Sequence, residues 1–281
     1  MPHGAWQALA LQLSHGFALW LGTLLVLGQF YLAVWVLERL YPARAERQPL
    51  RHALFNLHYA LYALALSVWL TAALTAQVTP AVRSGYAGWL NPTAWQGNLY
   101  AIGLFLVSLV AFDFLYYGFH RLQHTWPLLW RQHLLHHSEP SVNVTTGLRQ
   151  HWLEDPLRVF FVDAPLLLLF VTLPENPWWL ASFSVLWNIL LHANIRLGFG
   201  RFHLFLSSPQ THRIHHSLLP EHRDRNFAVF FPWIDQLFGT YYAPKPGEYP
   251  PTGVQGMAEI RSPLKALLLP FLNHRTALRG P

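Results

Sequence analysis

LVSLVAFDFLYYGFHRLQHTWPLLWRQHLLHH, residues 106–137, decides how this chain is read. The first half is apolar enough to lie in a bilayer, and it runs out into His120 and His124, four residues apart. Residues three and four apart on a helix share a face, so both imidazoles can point one way. Pro127 then interrupts the helix, and a second begins in which His133 and His137 are four apart with His136 beside them. Downstream, THRIHH at 211–216 repeats that geometry with His212, His215 and His216, after Pro209 where a helix can start. His192 closes another apolar tract. Four elements from distant parts of the chain can therefore bring imidazoles together at the edge of a membrane.

The composition supports a membrane setting. Of 281 residues, 53% are hydrophobic and 11% charged, against about 25% charged in an ordinary soluble domain. Tracts 16–37 and 57–76 are each long enough to cross, since about 20 helical residues span a hydrocarbon core. A third runs from 99 to 119, and a fourth and fifth, 159–173 and 177–192, are separated only by Pro174, Glu175 and Asn176 and so form a tight or re-entrant hairpin. The expected fold is an all-α integral membrane protein with about four or five transmembrane or re-entrant helices and a cytoplasmic, helical, histidine-rich cap. Gln77 to Gln96, with Pro80 and Pro92, reads as an external loop. Residues after Tyr241 read as an irregular tail with a short amphipathic piece near 258–272 resting on the membrane surface.

Basic residues set the orientation. Of the 19 Lys and Arg, Arg83 alone falls on the side opposite the histidines, so the positive-inside rule puts 38–55, 120–158 and 193–281 in the cytoplasm. The expected location is a bacterial inner membrane with the site on its cytoplasmic side. The net charge of +6 is explained by anionic lipid headgroups. No dense basic run with interleaved aromatics points to nucleic acid. The first 15 residues carry no Lys or Arg, which argues against a secretory leader. Zero Cys excludes disulfides, thiolate catalysis and ordinary iron–sulfur ligation.

Neutral imidazole suits iron, zinc, copper and nickel rather than magnesium or calcium. One tetrahedral zinc needs four protein ligands at most. Nine candidates, His120, His124, His133, His136, His137, His192, His212, His215 and His216, are used economically by two metal ions, each keeping a position open to oxygen or water. Iron is the expected metal, because an open redox-active site beside a lipid cavity can attack C–H bonds. His151 is a ligand or near-site residue. His3, His15, His52, His58, His203, His222 and His274 are assigned to the interface or surface. Asp113, seven residues before His120, is expected to orient a histidine or line the cavity, since an acid in a membrane tract needs a functional or paired explanation. Glu154, Asp224 and Asp235 are candidates to accept imidazole N–H groups, and Asn194 and Asn226 to do the same or to cap turns.

HRLQH, HLLHH and THRIHH resemble, in order and spacing, the histidine boxes of the fatty acid hydroxylase and sterol desaturase superfamily of membrane di-iron enzymes. NVTTGLRQHWLED, ILLHANIRLG and DRNFAVFFPWIDQLFGTYY look like its linking segments, so the resemblance covers residues 98 to 242. It implies metal ligation by the nine histidines and a catalytic-site place for His151, Asp224, Asn226 and Asp235. The division that follows is 1–97, N-terminal transmembrane helices and external loop; 98–242, a catalytic hydroxylase/desaturase-like region; and 243–281, a cytoplasmic Pro/Gly-containing tail. The resemblance further implies an oxidoreductase with two non-haem iron ions, zinc being able to occupy the same nitrogens in purified protein. Its partners would be a membrane lipid, O2 and a separate electron donor such as ferredoxin or a cytochrome b5-type protein with its reductase. The expected reaction is hydroxylation of an unactivated lipid C–H bond. Desaturation by the same centre is the alternative, and a zinc hydrolase or metal-binding transporter the non-oxidative one.

Overall fold

The computed structural model describes residues 25–44, 49–84, 98–169 and 178–272. Among these the fold is all-α, and the only β pairing consists of isolated bridges such as Pro42 with Ile195. Helix α1 covers 25–40, α2 Leu50–Ser84, α3 Asn98–Thr125 and α4 Pro127–His137. After a 3-10 turn at Val144–Leu148 come α5 at Glu154–Arg158, a π-helical turn at Val159–Asp163 and α6 at Ala164–Leu169. Then follow α7 Trp178–Leu191, α8 Pro209–His215, α9 Pro232–Leu237 and α10 Pro263–Leu267.

Among the described residues, two helices are long and apolar enough to cross a membrane, Leu50–Arg83 with mean hydropathy 1.6 and Ile102–Thr125 with 1.9. The first buries little of its surface and turns Leu54, Leu57, Leu61, Leu64, Val68 and Trp69 outward. That row is costly in water and at home among acyl chains. The 57–76 tract thus lies inside α2, and the 99–119 tract inside α3. Of the 16–37 tract, residues 25–37 are helical and the rest lies outside the described residues. The 14 described residues of α7 cover about 21 Å of a core of about 30 Å. The turn expected at 174–176 lies outside the described residues.

Two expectations change. The loop predicted to begin at Gln77 begins later, because α2 continues through Pro80 to Ser84. Proline there removes one hydrogen bond close to the helix end, where few remain to be lost. Residues 85–97 lie outside the described set. The piece near 258–272 packs into the core as well: Ile260, Ala266 and Leu269 join Tyr59 and Ala63 of α2 and Trp130, Leu134 and Leu135 of α4. Ser262 caps α10 by accepting from the Lys265 amide. Its opposite face leaves Leu264 and Phe271 exposed.

α3 and α4 are joined only by Trp126, with Pro127 at the first position of α4. The short joint folds α4 back on the end of α3 and sets their histidines face to face. α8 likewise opens on Pro209, capped by the Ser208 hydroxyl, which accepts from the Thr211 amide.

Candidate metal centre

Nine buried histidines form two groups. His120, His124, His133, His137 and His215 make one, and His136, His192, His212 and His216 the other; within each, the facing ring atoms lie within 4.8 Å of one another. α4 and α8 serve both groups, because His133 and His137 face one way and His136 the other, while His215 opposes His212 and His216.

Within each group the rings meet through Nε2. The separations are 3.0 Å for His120 and His133, 3.2 Å for His124 and His137, and 3.2 Å for His133 and His137. In the second group they are 3.1 Å for His136 and His192, 2.9 Å for His192 and His212, and 3.2 Å for His212 and His216. Three of the outward nitrogens are tied to the backbone. His120 Nδ1 donates to the Phe227 carbonyl at 2.8 Å, His192 Nδ1 to Asn188 at 2.7 Å and His215 Nδ1 to Arg225 at 2.9 Å. A proton fixed on Nδ1 leaves a lone pair on Nε2. Lone pairs crowded at these distances repel unless a cation sits among them, so the donor set fits a metal ion.

Five of the rings are held neutral. Burial, reinforced by neighbouring imidazoles, keeps His136, His137, His212 and His216 well below the ordinary histidine range, and burial brings His215 to about 3.

Carboxylates occupy two kinds of place. Asp224 Oδ1 faces His124 Nδ1 at 3.4 Å, and Glu154 Oε2 faces His133 Nδ1 at 3.9 Å while accepting from Gln123 at 2.7 Å. Burial pushes the Glu154 pKa up, but His133, Gln132 and Gln123 outweigh it and leave the carboxyl below its ordinary value. Asp113 and Asp235 touch backbone instead. Asp235 accepts from the amides of Phe227 and Ala228, and Asp113 from those of Val229, Phe230 and Phe231. Asp113 therefore reaches His120 only through the segment whose Phe227 carbonyl holds that ring.

Asn226, at φ 59°, accepts from the Tyr242 amide and donates to the Thr211 carbonyl, clamping the strap that follows Asp224. Asn194 accepts from Arg213 at 3.0 Å, away from the rings. His151 stands outside both groups. Its Nε2 meets the Leu267 carbonyl and its Nδ1 accepts from the Leu153 amide, and burial lowers its pKa to about 4.

Two histidines read as surface residues are buried. His52 lies between Glu139 and Glu259, at 3.0 and 2.8 Å, and His222 between the Ser217 hydroxyl and Glu248. Isolated in sequence, they carry no spacing that reveals such distant partners. Glu139 also accepts from Asn56, whose Oδ1 takes Arg149, and this buried network ties α2 to the end of α4. Of the other outlying histidines, His58 is exposed and His203 half-buried beside Tyr241, while His3, His15 and His274 lie outside the described residues.

A cavity of about 700 Å³ adjoins the centre. Tyr116, Gly147, Glu154 and Asn188 line it and stand between it and the histidines. The Tyr116 ring leans on His120, with ring centres 5.6 Å apart. Gly147 lets the 3-10 turn come close: a Cβ there would lie 3.2 Å from Asn188 Nδ2 and 3.5 Å from His192 Nδ1.

The sequence model of the fatty acid hydroxylase family matches residues 105–240. Among curated proteins, the ornithine lipid hydroxylase OlsE of Rhizobium tropici is 31% identical over 151 residues, 54% of this chain and 45% of that protein. The alkylglycerol monooxygenase of Homo sapiens is 31% identical over 157 residues, 55% and 32% respectively, and that of Danio rerio 32% over 136 residues, 48% and 30%. The match thus spans less than half the length of each of these relatives. No solved structure gives a significant match. Since the matched region opens within α3, closes just after α9 and takes in all nine clustered histidines, residues 105–240 are a region of the fatty acid hydroxylase and sterol desaturase superfamily.

Proposed function

We propose that this protein is a membrane-bound lipid monooxygenase in which the nine clustered histidines hold two non-haem iron ions. The observation that carries the reading is the pair of buried ring groups, converging through Nε2 beside a lipid-sized cavity. Nε2 atoms 2.9 to 3.2 Å apart are close enough for neighbouring imidazoles to share one ion, and an all-imidazole donor set suits a redox-active transition metal such as iron. Names of relatives that hydroxylate ornithine lipids or oxidise alkylglycerols support a lipid substrate.

Bound iron would supply the reduction and activation of O2, so that R–H, O2, two electrons and two protons give R–OH and water. The chain does the rest. Backbone carbonyls of Phe227, Asn188 and Arg225 fix the ring tautomers, and Asp224 and Glu154 orient His124 and His133 from behind. Asp113, Asp235 and Asn226 keep the 226–231 segment in register with α3. Tyr116 and the apolar walls admit an acyl chain and exclude water. Asp224, half-exposed, links His124 to solvent. Electrons come from a separate donor protein. The centre lies on the cytoplasmic face of the membrane, where the basic residues gather, and the 159–192 segment completes the transmembrane or re-entrant set of four or five.

The test compares lipids by mass spectrometry from cells expressing the intact chain and His136→Ala. Hydroxylation predicts a product heavier by one oxygen, lost in the variant. A product lighter by two hydrogens means desaturation, and unchanged lipids in both overturn the reading.

A further inference from the structure

The helix that begins at Glu154 is interrupted where it borders the cavity. Regular α geometry over Glu154–Arg158 gives way to a π-helical turn at Val159–Asp163 and resumes at Ala164. Five residues along a regular α-helix is about 140° off the starting face, so Arg158 and Asp163 would point apart. The wider π turn closes that angle, and such bulges recur at functional sites. Here it brings Asp163 Oδ1 to 3.8 Å from Arg158 Nε. On the other side Asp155 Oδ1 lies 3.0 Å from Arg158 Nη1, and its Oδ2 accepts from the Ser67 hydroxyl at 3.0 Å.

All three charged residues line the 700 Å³ cavity, and none of them belongs to the histidine groups. Asp155 and Arg158 also line a second cleft, of about 730 Å³, against α2. Thr75 and Thr79 border both spaces. With Ser67 and Thr71 they form a hydroxyl row at four-residue spacing, one face of α2 in the stretch that is otherwise fit to cross the membrane. Ionisable groups set among apolar walls are expensive and call for a partner.

Charge decides which partner. Two carboxylates oppose one guanidinium, so the wall carries one net negative charge. Of the other carboxyl and imidazole groups lining the cavity, Glu154 meets Gln123 and His133, and His151 meets the Leu267 carbonyl and the Leu153 amide. A ligand entering from the bilayer balances the excess with a cation.

We infer that Asp155, Arg158 and Asp163 form a headgroup subsite for a membrane lipid bearing a protonated amine. The two carboxylates accept from the ammonium, Arg158 holds them apart, and the α2 hydroxyls meet the remaining polar atoms of the headgroup. The cleft and the cavity, sharing this wall, give the lipid a lateral way in. The inference rests on the reading of the cavity as the lipid site and names the lipid class.

The test uses the full chain as purified, with its metal and without any electron donor, in neutral maltoside micelles. Dioleoyl phosphatidylethanolamine and its N-acetylated form differ only at the amine, and native mass spectrometry reads the bound fraction of each. The expected result is roughly tenfold preference for the free amine, the scale of one charge-assisted hydrogen bond. Asp163→Asn should bring the ratio close to one, and Asp163→Glu should keep most of it. Equal binding of the two lipids by the unaltered chain overturns the inference without any variant having to fold, and so does an undiminished preference in Asp163→Asn. Because no turnover is read, a lost preference leaves the proposed oxidation standing. Conversely, absence of an oxygenated product would not erase a measured preference.

Discussion

Asp113 in α3 and Asp235 in α9 share five consecutive backbone amides, from Phe227 to Phe231, and so fix the carbonyl that takes the Nδ1 proton of His120. Asparagine at either position leaves one acceptor oxygen where two are used and puts an amide N–H toward a backbone N–H. Hydrogen bonds to a charged acceptor are worth about 1.5–3 kcal/mol each. Asp113→Asn and Asp235→Asn should each lower stability by about 2–4 kcal/mol and loosen His120. Melting temperature and metal content should fall together; full metal loading in either variant would refute the link.

Metal stoichiometry separates the two ring groups. His215→Ala removes a ring from the group of five, His212→Ala one from the group of four. Elemental analysis of protein expressed with iron should give two ions in the intact chain and near one in His212→Ala, with His215→Ala retaining more because four rings remain. One ion per chain in the intact protein would refute the two-ion centre.

Acid should destabilise the metal-free fold. The folded-state pKa values of His136, His137, His212 and His216 lie well below the unfolded value near 6.5, and that of His215 is about 3. With folded values depressed, the unfolded chain binds more protons as pH drops through 6.5, so stability is present above that pH and lost below it. Each such ring contributes up to about 1.4 kcal/mol per pH unit. Thermal unfolding from pH 7.5 to 5 should show a steep fall beginning near 6.5; a flat profile would contradict neutral rings.

Gly147 sets the approach of the 3-10 turn to His192. Gly147→Ala needs shifts of a few tenths of an ångström, whereas Gly147→Val must displace the Asn188 amide or the imidazole. Turnover of the valine variant should drop at least tenfold while α-helical content is retained. Parity with the unaltered chain would show that the wall can give way.

Tyr116 separates His120 from the cavity. Tyr116→Ala removes that partition, and the expected result is a changed position of oxygen insertion along the lipid, read by fragmentation of the product. An unchanged position would place substrate entry elsewhere.

The three histidine clusters were readable in the sequence because each carries its own helical spacing, and Pro127 and Pro209 mark where the next helix starts, but their division with His192 into groups of five and four was not. What fixes those rings was not readable. The acceptors for His120, His192 and His215 are backbone carbonyls, which any residue possesses, so Phe227, Asn188 and Arg225 carried no signal. Asp113 was legible as a residue with a task, but two turns of helix before His120 suggested a ring partner, and only the tertiary fold brings the 229–231 amides to it. Likewise Arg158 and Asp163, five apart, match no regular helical pairing until a π turn unites them.

The division of α4 and α8 between the two ring groups has a further consequence. One turn of each helix supplies both sides, so the gap between the groups is ruled by helix pitch rather than by loops or by the surrounding lipid. Inserting a single residue between His133 and His136 would swing everything beyond it by about 100° and spoil both groups at once. Such a ruler lets the rest of the membrane body vary widely while the interval across which the chemistry takes place stays constant.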